Sequence, residues 1–282
     1  MRALVLGGGG VTGIGWELGV VAGLAEAGVR LADAELVVGT SAGSVVGAQL
    51  LSGRRVEELY AAQLRPPDGE LAGRTGIGVL LRWAFASLST RDEAKARARI
   101  GHMALRARTA VSAQERLAVI ATRLPSHEWP RHARLLVTAV EAEHGSFRVF
   151  DADSGVPLVD AVAASCAVPM VWPPVPVEGR PHVDGGVRSV ANADLAAGAD
   201  RVVVLAPITQ AARRSGRIDR QLAGLGAGRS DCRRHPRCRR PQGLRPQRTR
   251  SRPPRRRGAG GPRPGPVRPR RGPSGLVLTG RS

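Results

Sequence analysis

The stretch that most constrains this chain runs from Glu35 to Gln49, ELVVGTSAGSVVGAQ. Leu36 to Val38 is a short, mostly β-branched apolar run, the composition of a buried strand. Ala42 to Leu51 reads as a helix that is apolar on most of its surface. Between them sits Gly39-Thr40-Ser41-Ala42-Gly43, a G-x-S-x-G. A strand that turns sharply into a helix strains the backbone at the central serine and needs glycine where side chains would collide. It also exposes the Ser41 hydroxyl at a helix N-terminus, where the dipole favours developing negative charge. A plain turn of small residues is the competing reading, and the flanking strand and helix favour the catalytic one.

The same arrangement opens the chain. Ala3 to Leu6 reads as a first strand, Gly7 to Gly13 as a glycine loop, and Gly15 to Ala27 as a helix closed by Gly28. Strand, loop, helix and strand make a βαβ unit, so the first two strands lie parallel and adjacent. Ligands of such sheets bind at the carboxyl ends of the strands, which predicts that the glycine loop and Ser41 are neighbours. Further strands are expected at Arg134–Val140, Phe147–Phe150, His182–Asp184 and Arg201–Leu205, and helices at Arg55–Gln63, Glu93–Arg108, Val159–Cys166 and Asn192–Ala197. Leu80, Leu81, Trp83 and Phe85 form an apolar cluster, either core or a substrate-facing cap. The fold class that follows is α/β: three layers, a mainly parallel sheet with helices on both faces, over residues 1–228.

Charge divides the chain unevenly. Residues 229–282 hold 18 Arg and one acid, a net of +17, while residues 1–228 hold 25 basic and 22 acidic residues, a net of +3. The body therefore carries no nucleic-acid footprint, and non-specific nucleic-acid contact is expected only through the tail. Periodicity is lost after Gly228, and an Arg/Pro/Gly-rich segment of this kind is expected to be disordered. A binding arm, a plain extension and an out-of-frame translation of a GC-rich gene all account for it. Three cysteines make no disulfide framework: Cys166 reads as a buried thiol, and Cys232, His235 and Cys238 make a poor metal site. No signal-peptide pattern or membrane span is present, so a cytoplasmic setting is expected.

Two readings compete for the glycine loop. Gly8-x-Gly10-x-x-Gly13 matches a dinucleotide fingerprint, which expects an acid at the end of the second strand. That strand ends in Gly39-Thr40-Ser41, so the fingerprint fails its own test. In the other reading, the loop amides face an oxyanion forming beside Ser41. A serine nucleophile needs a base. No histidine stands in the position an α/β-hydrolase triad requires, and Asp184, followed by Gly185-Gly186, offers a simpler Ser–Asp dyad. An ordinary Asp-Gly turn is the alternative.

Taken together, the glycine loop after strand one, G-x-S-x-G after strand two and the late D-G-G resemble the patatin-like phospholipase family over roughly residues 3–210. The resemblance implies a serine acyl hydrolase acting on lipid esters, phospholipase A-like or lysophospholipase-like, with Ser41 as nucleophile and Asp184 as base. It implies an oxyanion hole at Gly8, Gly9 and Gly10, an elbow flanked by Gly39 and Gly43, and a turn at Gly185 and Gly186. Ala191-Asn192-Ala193-Asp194 matches a polar turn that often follows D-G-G. Thr12 stands where many relatives carry Arg or Lys. No cofactor or metal is implied; the expected partner is a lipid ester, with peripheral membrane contact. A non-catalytic lipid- or nucleotide-binding α/β protein is the alternative of a different class.

Overall fold

In the computed structural model, which describes residues 1–65, 77–227 and 275–280, the first strand sets the frame. Strand β1 (Arg2–Leu6) pairs in parallel with β2 (Leu36–Thr40) on one side and β7 (Arg201–Ala206) on the other. Strand β2 pairs in parallel with β3 (Arg134–Glu141). Antiparallel strands flank this centre: β4 (Phe147–Phe150) and β6 (Arg180–Asp184) on β3, β5 (Val175–Val177) on β6, and β8 (Gly275–Gly280) on β7. The fold is mixed α/β, with a parallel sheet centre and helices around it.

Alternation along the strands sends side chains into two cores. Leu4, Leu6, Val37, Leu135 and Val137 enter one, with α1 (Gly10–Glu26), α2 (Ala42–Leu50) and α7 (Leu158–Ser165). Ala3, Val5, Leu36, Val38, Val202 and Val204 enter the other, with Ala193, Ala196 and Ile218, the first residue of α8 (Ile218–Ala227). Helix α3 (Val56–Gln63) packs on α1, and α6 (Ala113–Arg123) on α7. Helix α5 (Glu93–Arg106) covers the far ends of β3 and β6 through Ala104, Val140 and Val183. Helix α4 (Ile77–Leu88) packs on α5. Among the described residues no helix is long and apolar enough to cross a membrane.

The structure departs from the sequence expectations at several places, among them the unexpected strand β5. Helix α1 begins at Gly10, five residues early, because packing of the Gly13 and Ile14 face outweighs the poor helix propensity of glycine. The sequence of residues 70–130 reads as holding helical patches without marking the bounds of α6, although Ser112 and Glu115 form a capping box at its start. Leu81 and Phe85 point to solvent and are not core, and Trp83 is half-buried; the Leu80 side chain lies outside the described residues. Finally, the tail is not without structure throughout: Gly275–Gly280 adds β8 to the free edge of β7. Leu276-Val277-Leu278-Thr279 is a strand-like apolar run, and an open strand edge templates such pairing. The remaining expectations for the tail, including Cys232, His235 and Cys238, lie outside the described residues.

Two buried polar groups deserve notice for what they hold in place. Asn192, in the left-handed conformation at φ 50°, sits under the carboxyl ends of the central strands. Its amide nitrogen is shared among the Thr40 and Thr138 hydroxyls at 3.0 and 3.2 Å and the carbonyls of Ser189 and Gly185 at 3.1 and 3.4 Å. Arg188 donates to its amide oxygen at 2.8 Å. The two threonine hydroxyls also bond each other at 2.9 Å. This knot joins β2, β3 and the turn after β6. Glu17 lies on the sheet-facing side of α1, fully buried, with no hydrogen bond to either carboxyl oxygen. Burial pushes its pKa well above the ordinary range, and the nearby Gly7 amide, already committed to Leu205 O at 2.9 Å, opposes this only in part.

Both groups make predictions. Replacing Asn192 with Ala removes the shared donor to the two threonine hydroxyls and the Gly185 and Ser189 carbonyls, takes an acceptor from Arg188 and puts alanine at a positive φ, and should cost about 2 kcal/mol; a chemical-denaturation midpoint checks this. For Glu17, the folded state keeps its proton while the unfolded chain releases it as pH rises through the ordinary glutamate range. The linkage sign is then negative, and this contribution to stability falls as pH rises. Glu17→Gln should match the parent in thermal stability at about pH 4 and exceed it near neutrality, as followed by calorimetry across that range.

Candidate active site

Ser41 follows β2 and caps α2 with φ 53° and ψ −117°, a left-handed conformation rare outside glycine. Holding it there costs about 1–3 kcal/mol, which the surroundings must supply. They do so through three polar contacts. The Ser41 amide donates to Ser165 Oγ at 2.9 Å. The Ser41 carbonyl accepts from Ser44 Oγ at 2.6 Å and from the Cys166 thiol at 3.3 Å. The flanking glycines are required by close approach: a Cβ on Gly43 would strike the Leu6 carbonyl, and one on Gly39 would lie 2.5 Å from Ser44 Cα. The Gly43 amide donates to Gly7 O at 3.0 Å, which fastens the elbow to the glycine loop.

Asp184 arrives from the other end of the sequence. It closes β6 opposite Ala139 of β3, and its amide donates to Ala167 O at 3.0 Å. One carboxylate oxygen accepts from the Gly186 amide at 2.7 Å, and the carboxylate lies near enough to the Ser41 hydroxyl for that hydroxyl to lower its pKa. Both Ser41 and Asp184 are buried, at 7% and 4% exposure. Burial pushes the Asp184 carboxyl up to about 6, while the Ser41 hydroxyl, the Gly186 amide and the charge of Arg116 pull the other way. Gly185 and Gly186 serve packing more than bending: neither has a positive φ, and a Cβ on Gly185 would collide with Thr138.

The glycine loop lies against the serine; a Cβ on Gly8 would sit 3.6 Å from the Ser41 Cβ. Its three candidate donors are not equivalent. The Gly8 amide is committed to Val190 O at 2.7 Å. The amides of Gly9 and Gly10 have no acceptor among the described residues, and neither does that of Ala42, next to Ser41. Gly10 has φ 62°, which favours glycine there. The Thr12 hydroxyl donates to Gly9 O at 3.2 Å and so steadies the loop instead of adding charge.

Sequence reasoning missed Arg116 and Ser165. Arg116 is buried, its guanidinium 4.0 Å over the Trp172 ring, and its charge acts on both Asp184 and Cys166. The capping box at Ser112 was the available signal: it starts a helix on which Arg116 and the buried Ile120 share one face. Cys166 is a buried free thiol, as expected, and burial pushes it up to about 11, which keeps it protonated and able to donate. His182 is buried elsewhere, with Nδ1 2.8 Å from Arg180 O and its ring edge-on to Phe150. Glu141, Glu143 and His144 cluster within metal-ligand reach, but Glu141 is already bonded to His144 at 2.6 Å and Arg180 at 3.4 Å.

Comparison with known proteins identifies the family. The chain matches the family described as "Patatin-like phospholipase" over residues 4–197, more than half its length. Among solved structures, it is similar to VipD from Legionella pneumophila, at 14% identity and a TM-score of 0.39, covering 66% of this chain and 46% of that one. It is also similar to the type III effector protein ExoU, at 20% identity and a TM-score of 0.32, covering 60% and 40%. The chain thus spans less than half the length of either structural neighbour. No curated protein sequence matches it. From the shared stretch that contains the glycine loop, the serine elbow and the aspartate turn, the chain belongs to the patatin-like phospholipase family.

Proposed function

We propose that the protein is a serine acyl hydrolase that cleaves carboxylic esters of lipids, with Ser41 as nucleophile and Asp184 as its base. Lipid acyl hydrolysis is the general activity of the family. The observation that carries the finer reading is a buried carboxylate close enough to the Ser41 hydroxyl to be influenced by it, beside loop amides that have no acceptor among the described residues.

The chemistry runs in two halves. The Ser41 oxygen attacks the ester carbonyl as its proton passes to Asp184, giving a tetrahedral oxyanion. The free amides of Gly9, Gly10 and Ala42 are the available donors to that oxyanion, and Gly8 supports the loop from behind. The intermediate collapses to an acyl-serine, and Asp184 returns its proton to the departing alcohol. Water then attacks the acyl-serine with Asp184 again taking the proton, the new oxyanion collapses, and Ser41 regains its hydrogen as the fatty acid leaves. A carboxylate near pKa 6 is a stronger base than an ordinary aspartate and still ionised at neutral pH. The Ser41 hydroxyl, then the Gly186 amide and last the Arg116 charge keep burial from pushing it further. The rigid elbow keeps the attacking oxygen aligned, and each oxyanion donor is worth about 10²–10³ in turnover.

Three outcomes are expected. Ser41→Ala should abolish both p-nitrophenyl ester hydrolysis and labelling by a fluorophosphonate; full turnover by the folded variant would remove Ser41 from the mechanism. Asp184→Asn should lower kcat by about 10³-fold or more with the circular dichroism spectrum unchanged. The parent enzyme's kcat/KM should climb with pH and level off above about 6, because only the ionised Asp184 accepts the proton.

A further inference from the structure

Among the described residues, the outer face of α4 is used neither by the fold nor by the reaction. Leu81, Phe85 and Leu88 recur at i, i+4 and i+7, so they form one stripe, and they are 66, 78 and 67% exposed. Single exposed apolar residues are ordinary, whereas a stripe of three large ones marks a contact surface. The opposite side of the helix, at the buried Ala86, turns inward. Exposed Arg82 borders the stripe.

Charge says what the stripe meets. Residues 77–108, the α4–α5 hairpin, hold seven basic and two acidic residues, a net of +5. The rest of residues 1–228 holds 18 basic and 20 acidic, a net of −2. The body's basic excess is thus confined to the element with the bare apolar stripe. An amphipathic helix with aromatic and leucine side chains on one face and arginine beside it suits the interface of an anionic bilayer.

Position points the same way. Arg213, in the loop that follows β7, donates to the carbonyls of Thr90 and Arg91 in the turn between α4 and α5. That loop returns to the site through Gly216 O, which accepts from the Val190 amide, and Val190 O accepts from Gly8. The hairpin is therefore fastened to the same carboxyl edge of the sheet as Ser41. Two more apolar residues, Val11 on the first turn of α1 and Ile208 after β7, stand 42 and 47% exposed at that edge.

We propose that α4 docks the protein on anionic lipid surfaces, with Leu81, Phe85 and Leu88 entering the interface and Arg82 meeting lipid phosphates. The docking is a property of this surface alone; only its use, bringing lipid esters to Ser41, rests on the hydrolase reading above.

The test is flotation of the full chain with vesicles of phosphatidylcholine alone or mixed with phosphatidylglycerol. The 18 Arg of residues 229–282 bind anionic lipid by charge, so partitioning is also measured at about 1 M salt, where the screening length falls to about 3 Å. There the wild type should still float, and Leu81→Ser/Phe85→Ser/Leu88→Ser should lose about a hundredfold in partitioning. Phe85→Leu should keep most of it. At moderate salt, Arg82→Glu should weaken binding about tenfold to the mixed vesicles and not to pure phosphatidylcholine. Equal partitioning of wild type and triple variant at high salt would overturn the proposal, as would self-association of the wild type that the triple variant abolishes without any change in flotation. An Arg82→Glu effect equal on both vesicle types would overturn the anionic preference. Hydrolysis of a short soluble ester should be unchanged in the triple variant, and Ser41→Ala should float normally. Hydrolysis that survives in Ser41→Ala would defeat the catalytic reading while leaving the flotation result to judge the docking.

Discussion

A carboxylate taken out of water beside a serine hydroxyl is the constraint around which the rest of this structure is arranged. Asp184 is buried, and desolvation raises the free energy of its charged form. Only the Ser41 hydroxyl, the Gly186 amide and the Arg116 charge offset that cost. Each of the three comes from a different element, α2, the turn after β6, and α6. The position of the site therefore depends on the sheet holding these elements in register, and on packing tight enough that water does not replace the serine.

That packing explains why small residues crowd the site. Ser41 is held in a left-handed conformation by bonds to Ser165, Ser44 and Cys166, all short side chains that fit between α2 and α7. Gly43 lies against β1, and Gly185 against β3. Asn192 then ties the strand that delivers the serine to the turn that delivers the aspartate. Strain at the elbow and the desolvated carboxylate are both unfavourable alone, and a well-bonded polar frame with two apolar cores beneath it sustains them.

Arginine takes three separate parts in this protein. Arg116 is buried and stacked on Trp172, where its fixed charge tunes Asp184. Arg188 braces Asn192 and pairs with Asp194 at 2.6 Å. Arg82 stands exposed beside an apolar stripe. Composition cannot separate these parts, because a chain with one lysine and many arginines looks uniform when counted.

Local pattern alone determined much of this protein. The strand-turn-helix at Ser41, the glycine loop after β1, the parallel neighbours β1 and β2 and the family itself were all readable, because they rest on short-range periodicity and steric need. Tertiary structure decided the rest. The amide of Gly8 is spent on Val190, 182 residues away in sequence, so the free donors are fewer than the glycine count implied. Arg116 and Ser165 sit at the site, α4 turns Leu81, Phe85 and Leu88 outward, and β8 comes from a segment whose overall composition suggested no structure. Burial, the loss of a donor to a distant carbonyl and the pairing of a free strand edge arise only when remote segments meet, and no window of neighbouring residues records which segments those will be.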